Sequence, residues 1–285
     1  MAAERLKREG IMLAQPVSEG KVRRLGDSMF AQPKLKGERC RVEWFHNEPV
    51  LLSSYQNEFK FLDHIKDALR SNFKYDQIPH DGELYVHGWS FSKIHSAASR
   101  KVNPNPDTPG LEFHIFDYQS AESQWQRVHH LAMKAEAGNL ESPLVYVPSS
   151  IVTPDDWLEQ ANIYTSEGYE GIILRSAIAS YEKKRSLYML KFKPTEEDDY
   201  TICEVVEAIS KEGYPKGMVG SFGVFASDAV AGSFFVGAGK LTHAKRVMYW
   251  KNREDVIGKT LKVKHEKTKT IGGVPDCSVA VEVIE

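Results

Sequence analysis

Lys34-Leu35-Lys36-Gly37-Glu38-Arg39 is the stretch around which the rest of the chain falls into order. A lysine used as a nucleophile must be unprotonated near neutral pH, which nearby positive charge or desolvation favours. Lys36 and Arg39 lie within a few residues and supply like charge, so a crowded, cation-rich setting is expected for Lys34. Gly37 would let the backbone approach a bound ligand closely. On its own the hexapeptide fits an exposed basic turn better.

Further short patterns follow in sequence. Asp81-Gly82-Glu83-Leu84 leaves a loop and enters a strand, which puts Glu83 at a strand start within reach of a ligand. Phe113-His114-Ile115-Phe116-Asp117-Tyr118 is an aromatic strand whose outward ring could stack on a base. Glu170-Gly171-Ile172-Ile173-Leu174-Arg175 sets a carboxylate before a short apolar run typical of a buried strand. In Leu190-Lys191-Phe192-Lys193 two lysines stand two apart, hence on one face of a strand.

Strands are expected at 41–45 and 50–52, joined across the turn 46–49, and again at 83–86 and 112–118. From Glu58 to Arg70 apolar residues recur at helical spacing. Thr153-Pro154-Asp155-Asp156 offers a cap, an initial proline and an early carboxylate for a helix that stops near Gly168. Beyond the acidic junction at 196–199, β-candidates fall at 202–209, 222–226, 234–238, 261–265 and 279–284. A helix at about Thr242 to Trp250 follows the third of them, an order that suggests a small barrel of the OB type. Phe222, Phe225, Phe234 and Phe235 read as its core.

The 285 residues, 41% of them hydrophobic and 27% charged, suffice for two modest domains. With 37 basic against 39 acidic side chains, bulk charge does not hold the chain to a polyanion, but charge is clustered. Residues 240–269 carry ten basic side chains against three acidic, and 21–41 carry seven against two. Two such patches beside the motifs favour a phosphate-backbone groove. Cys40, Cys203 and Cys277 are odd in number and far apart, which argues against a disulfide framework. No segment has the character of a signal peptide or membrane span, so a cytoplasmic protein without membrane attachment is expected.

The ordered set of Lys-x-x-Gly-x-Arg, Asp-Gly-Glu, an aromatic Phe-Asp strand, Glu-Gly-(apolar)₃-Arg and Leu-Lys-x-Lys resembles the covalent nucleotidyltransferases. Among them it is most similar to compact ATP-dependent DNA ligases of the viral or phage type. The resemblance implies an α+β architecture: an ATP-grasp-like nucleotidyltransferase domain of antiparallel sheets with flanking helices at 1–193, then an OB-fold barrel at 194–285. It implies ATP as AMP donor, Mg²⁺ or Mn²⁺ as metal, and nicked double-stranded DNA as partner of a monomer. It makes Lys34 the adenylated nucleophile, because Gly37 and Arg39 fall at the required offsets. Gln32 would read the adenine edge and Phe116 would stack on the base. Arg39 and Glu83 would hold the ribose and reactive phosphate, Glu170 with Glu83 the metal, and Lys191 with Lys193 the α-phosphate. Lys240, Lys245, Arg246, Lys262, Lys264 and Lys267 would contact DNA.

The chain departs from the family in three places. Lys36 stands where an Asp is usual, Ser53-Ser54-Tyr55-Gln56 lacks an expected arginine, and Gly272 to Asp276 shows no Arg-x-Asp-Lys motif. An RNA ligase or a GTP-using capping enzyme is the sister reading. A non-catalytic OB-barrel binder of nucleic acid is the remaining one.

Overall fold

The computed structural model describes residues 8–73, 75, 77–138, 140, 142–225, 232–266, 274–275 and 277–284. Lys267 and most of 272–276 therefore lie outside the described residues. The chain divides into two compact units, Met1–Phe192 and Lys193–Glu285.

In the first unit the chain runs through β1 (Leu13–Pro16), α1 (Glu19–Arg23), β2 (Met29–Lys34), β3 (Glu38–Phe45) and β4 (Glu48–Ser53). It continues through α2 (Asp63–Phe73), β5 (His80–Tyr85), α3 (Phe91–Ala98), β6 (Glu112–Tyr118) and α4 (Gln124–Glu136). The unit closes with β7 (Leu144–Tyr146), β8 (Ser150–Val152), α5 (Trp157–Ser166), β9 (Gly171–Ser176) and β10 (Arg185–Phe192). Two five-stranded sheets result, ordered β1-β10-β9-β2-β8 and β4-β3-β5-β6-β7. Both are antiparallel except where β1 meets β10 and β6 meets β7.

Alternation assigns each strand a core face and an open face. In the first sheet Met29, Ala31, Ile172, Leu174 and Leu190 pack with Trp157, Ala161 and Tyr164 of α5. Gln32, Ile173 and Lys191 are aligned across β2, β9 and β10 and so share the opposite face, with Lys34 two residues along. In the second sheet Cys40, Val42, Leu84, Phe113 and Ile115 pack with Ile65, Leu69 and Phe73 of α2 and Ile94 of α3. Leu35, Lys36 and Gly37 carry the chain from one sheet to the other. At Gly37 a Cβ would sit 2.2 Å from the Leu84 carbonyl oxygen and 2.9 Å from Glu83 Cγ. The glycine thus permits close approach to β5.

Several sequence-based boundaries shift for local reasons. The β3–β4 turn is the two residues His46 and Asn47, both with positive φ, the geometry that matches strand twist in a tight hairpin. The helix expected from Glu58 starts only at Asp63, because Phe59 hydrogen-bonds Leu51 and Phe61 takes φ 63°. Pro154 sits in a turn before α5, where Asp156 accepts from the Thr153 amide at 2.6 Å.

The second unit is a closed barrel, β11-β12-β13-β15-β14, with β11 (Thr195–Ile209), β12 (Pro215–Phe225), β13 (Ser233–Gly237), β14 (Thr260–Glu266) and β15 (Val279–Ile284). The helices α6 (His243–Lys251) and α7 (Arg253–Val256) lie between β13 and β14 in the chain. Thr242 caps α6 by accepting from the Lys245 amide at 3.3 Å. The acidic run 196–199, read as a junction, is the first part of β11. Phe222 and Phe234 are buried as expected, but Phe225 and Phe235 are 55% and 60% exposed, because they alternate onto the outer face. Among the described residues no helix is long and apolar enough to cross a membrane.

Candidate active site

Lys34 ends β2, opposite Gly171, and its carbonyl accepts the Glu170 amide at 3.0 Å. That pairing carries Glu170 to the lysine: its carboxylate meets the Lys34 ammonium directly. The setting of Lys34 is therefore mixed in charge, with Glu170 added to the cations expected around it. Arg39 is spent elsewhere, and the ion-pair partner of Lys34 is an acid.

The second sheet contributes the remaining charged groups. Arg39 and Glu83 are cross-strand partners on β3 and β5. The Arg39 guanidinium forms a fork on Asp81, with Nε to Oδ1 at 2.7 Å and Nη2 to Oδ2 at 2.6 Å, and Nη2 also donates to the Met12 carbonyl at 3.2 Å. Tyr181 donates its hydroxyl to the same Asp81 carboxylate and accepts the Met12 amide at 2.9 Å. Burial pushes the Glu83 carboxyl up to about 7; Arg39 and Lys34 oppose that shift, while Glu170 and Asp81 reinforce it.

Phe116 does stand at this site, but its ring is only 9% exposed and carries the Arg39 guanidinium at 4.6 Å and that of Arg175 at 5.4 Å. Gln32, expected at the adenine edge, is bonded within the protein. Its side chain is 2% exposed and fully engaged: Nε2 donates to the Phe116 carbonyl at 2.9 Å and the Ser149 hydroxyl at 3.0 Å, while Oε1 accepts from Arg175 at 2.9 Å. Burial of an amide requires such partners, and these bonds tie Gln32 to Phe116, Ser149 and Arg175.

Beneath these residues Asp117, fully buried, accepts from Arg127 Nε and from Arg175 Nη1, each at 2.7 Å. This carboxylate joins a residue of the first sheet to one of α4 through the second sheet.

Lys191 lies on the open face of the first sheet, but Lys193 does not follow it there. β10 ends at Phe192, and Lys193 belongs to the barrel unit, where Nζ meets Glu266 Oε1 at 2.9 Å. The expected shared strand face of the two lysines is thereby corrected. Within the barrel, Lys240 and Lys245 are exposed, whereas Arg246 spends its Nε on the Val219 carbonyl at 2.7 Å. Lys262 stands opposite Asp199 and Glu282, and Lys264 opposite Glu197. These two lysines thus share their face with carboxylates, which removes the net basic surface expected of β14.

Asp81 and Tyr181 were not singled out by sequence reasoning as site residues. Asp81 was visible as the first residue of Asp-Gly-Glu; Tyr181, in the connection between β9 and β10, carried no signal.

The class that this architecture defines is a fold, that of the ATP-dependent DNA ligases. A solved Lig E DNA ligase superposes with a TM-score of 0.76 at 22% identity, covering 96% of this chain and 99% of that one. The ATP-dependent DNA ligase of bacteriophage T7, solved in complex with ATP, gives 0.53 at 16% identity over 96% and 98%. In sequence the chain is similar to the DNA ligase of African swine fever virus, at 25% identity over 244 residues. That match takes in 79% of this chain and 56% of the viral protein, so the chain spans little more than half the length of its curated relative. No protein-family model matches.

Proposed function

We propose that this chain is an ATP-dependent DNA ligase, sealing nicks in duplex DNA through a lysyl-AMP intermediate and an adenylated 5′-phosphate. The observation that carries the reading is the setting of Lys34: on one sheet face with Lys191, in contact with Glu170, and beside Arg39, Glu83 and Phe116 of the second sheet.

The Lys34 ammonium first loses a proton, for which the Glu170 carboxylate is the adjacent acceptor. The free amine attacks the α-phosphorus of ATP; a P–N bond forms as the P–O bond to pyrophosphate breaks. AMP then passes to the 5′-phosphate of the nick, and the 3′-hydroxyl displaces it. Little acid–base chemistry is asked of the protein beyond the first proton, so positioning and charge stabilisation supply most of the acceleration. Lys191 and Arg39 are the cations suited to phosphate oxygens, and Phe116, under the Arg39 guanidinium, is the aromatic ring nearest to them.

Glu83 and Glu170 fit a divalent cation. Glu170 is among the charges that push the Glu83 carboxyl up, and two carboxylates completed by substrate phosphates suit Mg²⁺ or Mn²⁺. When bound, the metal would neutralise phosphate charge.

The five-stranded closed barrel, with helices between its third and fourth strands, supports an OB-fold assignment. Among the described residues the DNA contacts this reading favours are Lys240 and the basic side chains of α6, a helix with no acidic residue in its first turn. The test is a nicked DNA duplex incubated with the protein, ATP and Mg²⁺. Joined product is expected, with none from GTP and little from nicked RNA. Adenylation of the protein with no joining of DNA would contradict the assignment.

A further inference from the structure

The hydrogen bonds around Asp81 form a closed circuit. The Met12 amide donates to Tyr181 Oη, Tyr181 donates to Asp81, Arg39 forks onto Asp81, and Arg39 Nη2 returns to the Met12 carbonyl. Four separate stretches of chain meet there: the entry to β1, β3, β5 and the connection from β9 to β10. Asp81 is fully buried, so the direction of its two oxygens is fixed by these donors alone. A carboxylate held in this way presents a planar target to a guanidinium, and a planar fork loses geometry when its acceptor can rotate. Burial and the neighbouring Asp81 push the Tyr181 phenol well above its ordinary range, which keeps it a neutral donor.

We propose that Tyr181 is a positioning residue for nucleotide binding: through Asp81 it sets the Arg39 guanidinium in the plane it occupies over the Phe116 ring. The inference rests on the ligase reading given above. Tyr181 touches neither the reacting atoms nor the base. It acts on a group that contacts bound nucleotide before and during reaction, so its loss weakens ground state and transition state alike.

The test is Tyr181→Phe, which keeps the ring and removes the hydroxyl. The KM for ATP in self-adenylation is expected to rise about tenfold with kcat within about twofold, the pattern of lost uniform binding. In an Arg39→Lys background, where the fork is already broken, the same substitution is expected to change KM by less than about twofold. A merely structural tyrosine would lower thermal stability and act equally in both backgrounds. An unchanged KM in Tyr181→Phe, or a full tenfold effect that persists with Arg39→Lys, overturns this inference and leaves the ligase reading intact. A native chain that takes no AMP from ATP overturns both.

Discussion

At the scale of single residues, the site couples charges that each limit the others. Glu83 shows this through pH. Its carboxyl titrates at about 7 in the folded chain against an ordinary 4.5, in the company of Lys34, Arg39, Glu170 and Asp81. A raised carboxyl pKa means that the folded state holds the proton more tightly. There is no cost below pH 4.5, a growing cost as pH rises towards 7, and the full cost above it. Without nucleotide or divalent cation, Glu83→Gln is therefore expected to be no more stable than the native chain near pH 4 and more stable by up to about 3 kcal/mol near pH 8. Thermal melts across that range check it, and a gap that narrows with rising pH would contradict it. Lys36→Ala should still accept AMP, since the partner of Lys34 is Glu170 and not the neighbouring lysine.

The same scale shows what the sequence could not reveal. Lys34, Glu83, Phe116 and Glu170 could be picked out because each sits at a fixed offset within a short strand-forming pattern. The burial of the Gln32 amide could not, because it depends on Ser149 and Arg175, more than a hundred residues away. Tyr181 was hidden for the same reason: its partners Met12 and Asp81 are 169 and 100 residues distant in the chain.

Among secondary-structure elements, the arrangement that matters most is the meeting of α4, β6 and β9 on Asp117. Removing its charge leaves the buried guanidiniums of Arg127 and Arg175 without a counter-ion. Asp117→Asn is expected to cost about 3–5 kcal/mol of stability, read as a lowered denaturant midpoint. A loss under about 1 kcal/mol would show that the cluster is not held by charge. Under the proposed function, strand register likewise decides which barrel lysines are left to meet DNA. Lys245→Ala should weaken DNA binding and flatten the salt dependence by about one unit of slope. Lys262→Ala, facing Asp199 and Glu282, should leave the slope unchanged. Counting charge along 240–269 missed this, because the neutralising carboxylates come from β11 and β15, far away in sequence and adjacent only through pairing. The order of barrel strands and helix was legible, but alternation was not read to the end, since Phe225 and Phe235 were assigned to the core and lie on the outer face. Turn lengths and helix starts were less so, since positive φ at His46, Asn47 and Phe61 leaves no compositional mark that hydrophobic periodicity detects.

For the molecule as a whole, two compact units share one chain, and the proposed chemistry begins entirely within the first. Lys34, Glu170, Arg39, Glu83, Phe116 and Lys191 all precede residue 193, so self-adenylation has its nucleophile and most of its phosphate contacts there. Lys193 is the exception, engaged by Glu266 of the barrel unit. The most direct measurement is the intact mass of the purified chain after incubation with ATP and Mg²⁺, alongside Lys34→Ala. The native chain is expected to gain one AMP that pyrophosphate removes, and the variant to gain none. An AMP adduct on Lys34→Ala, or its absence from the native chain, would contradict the account.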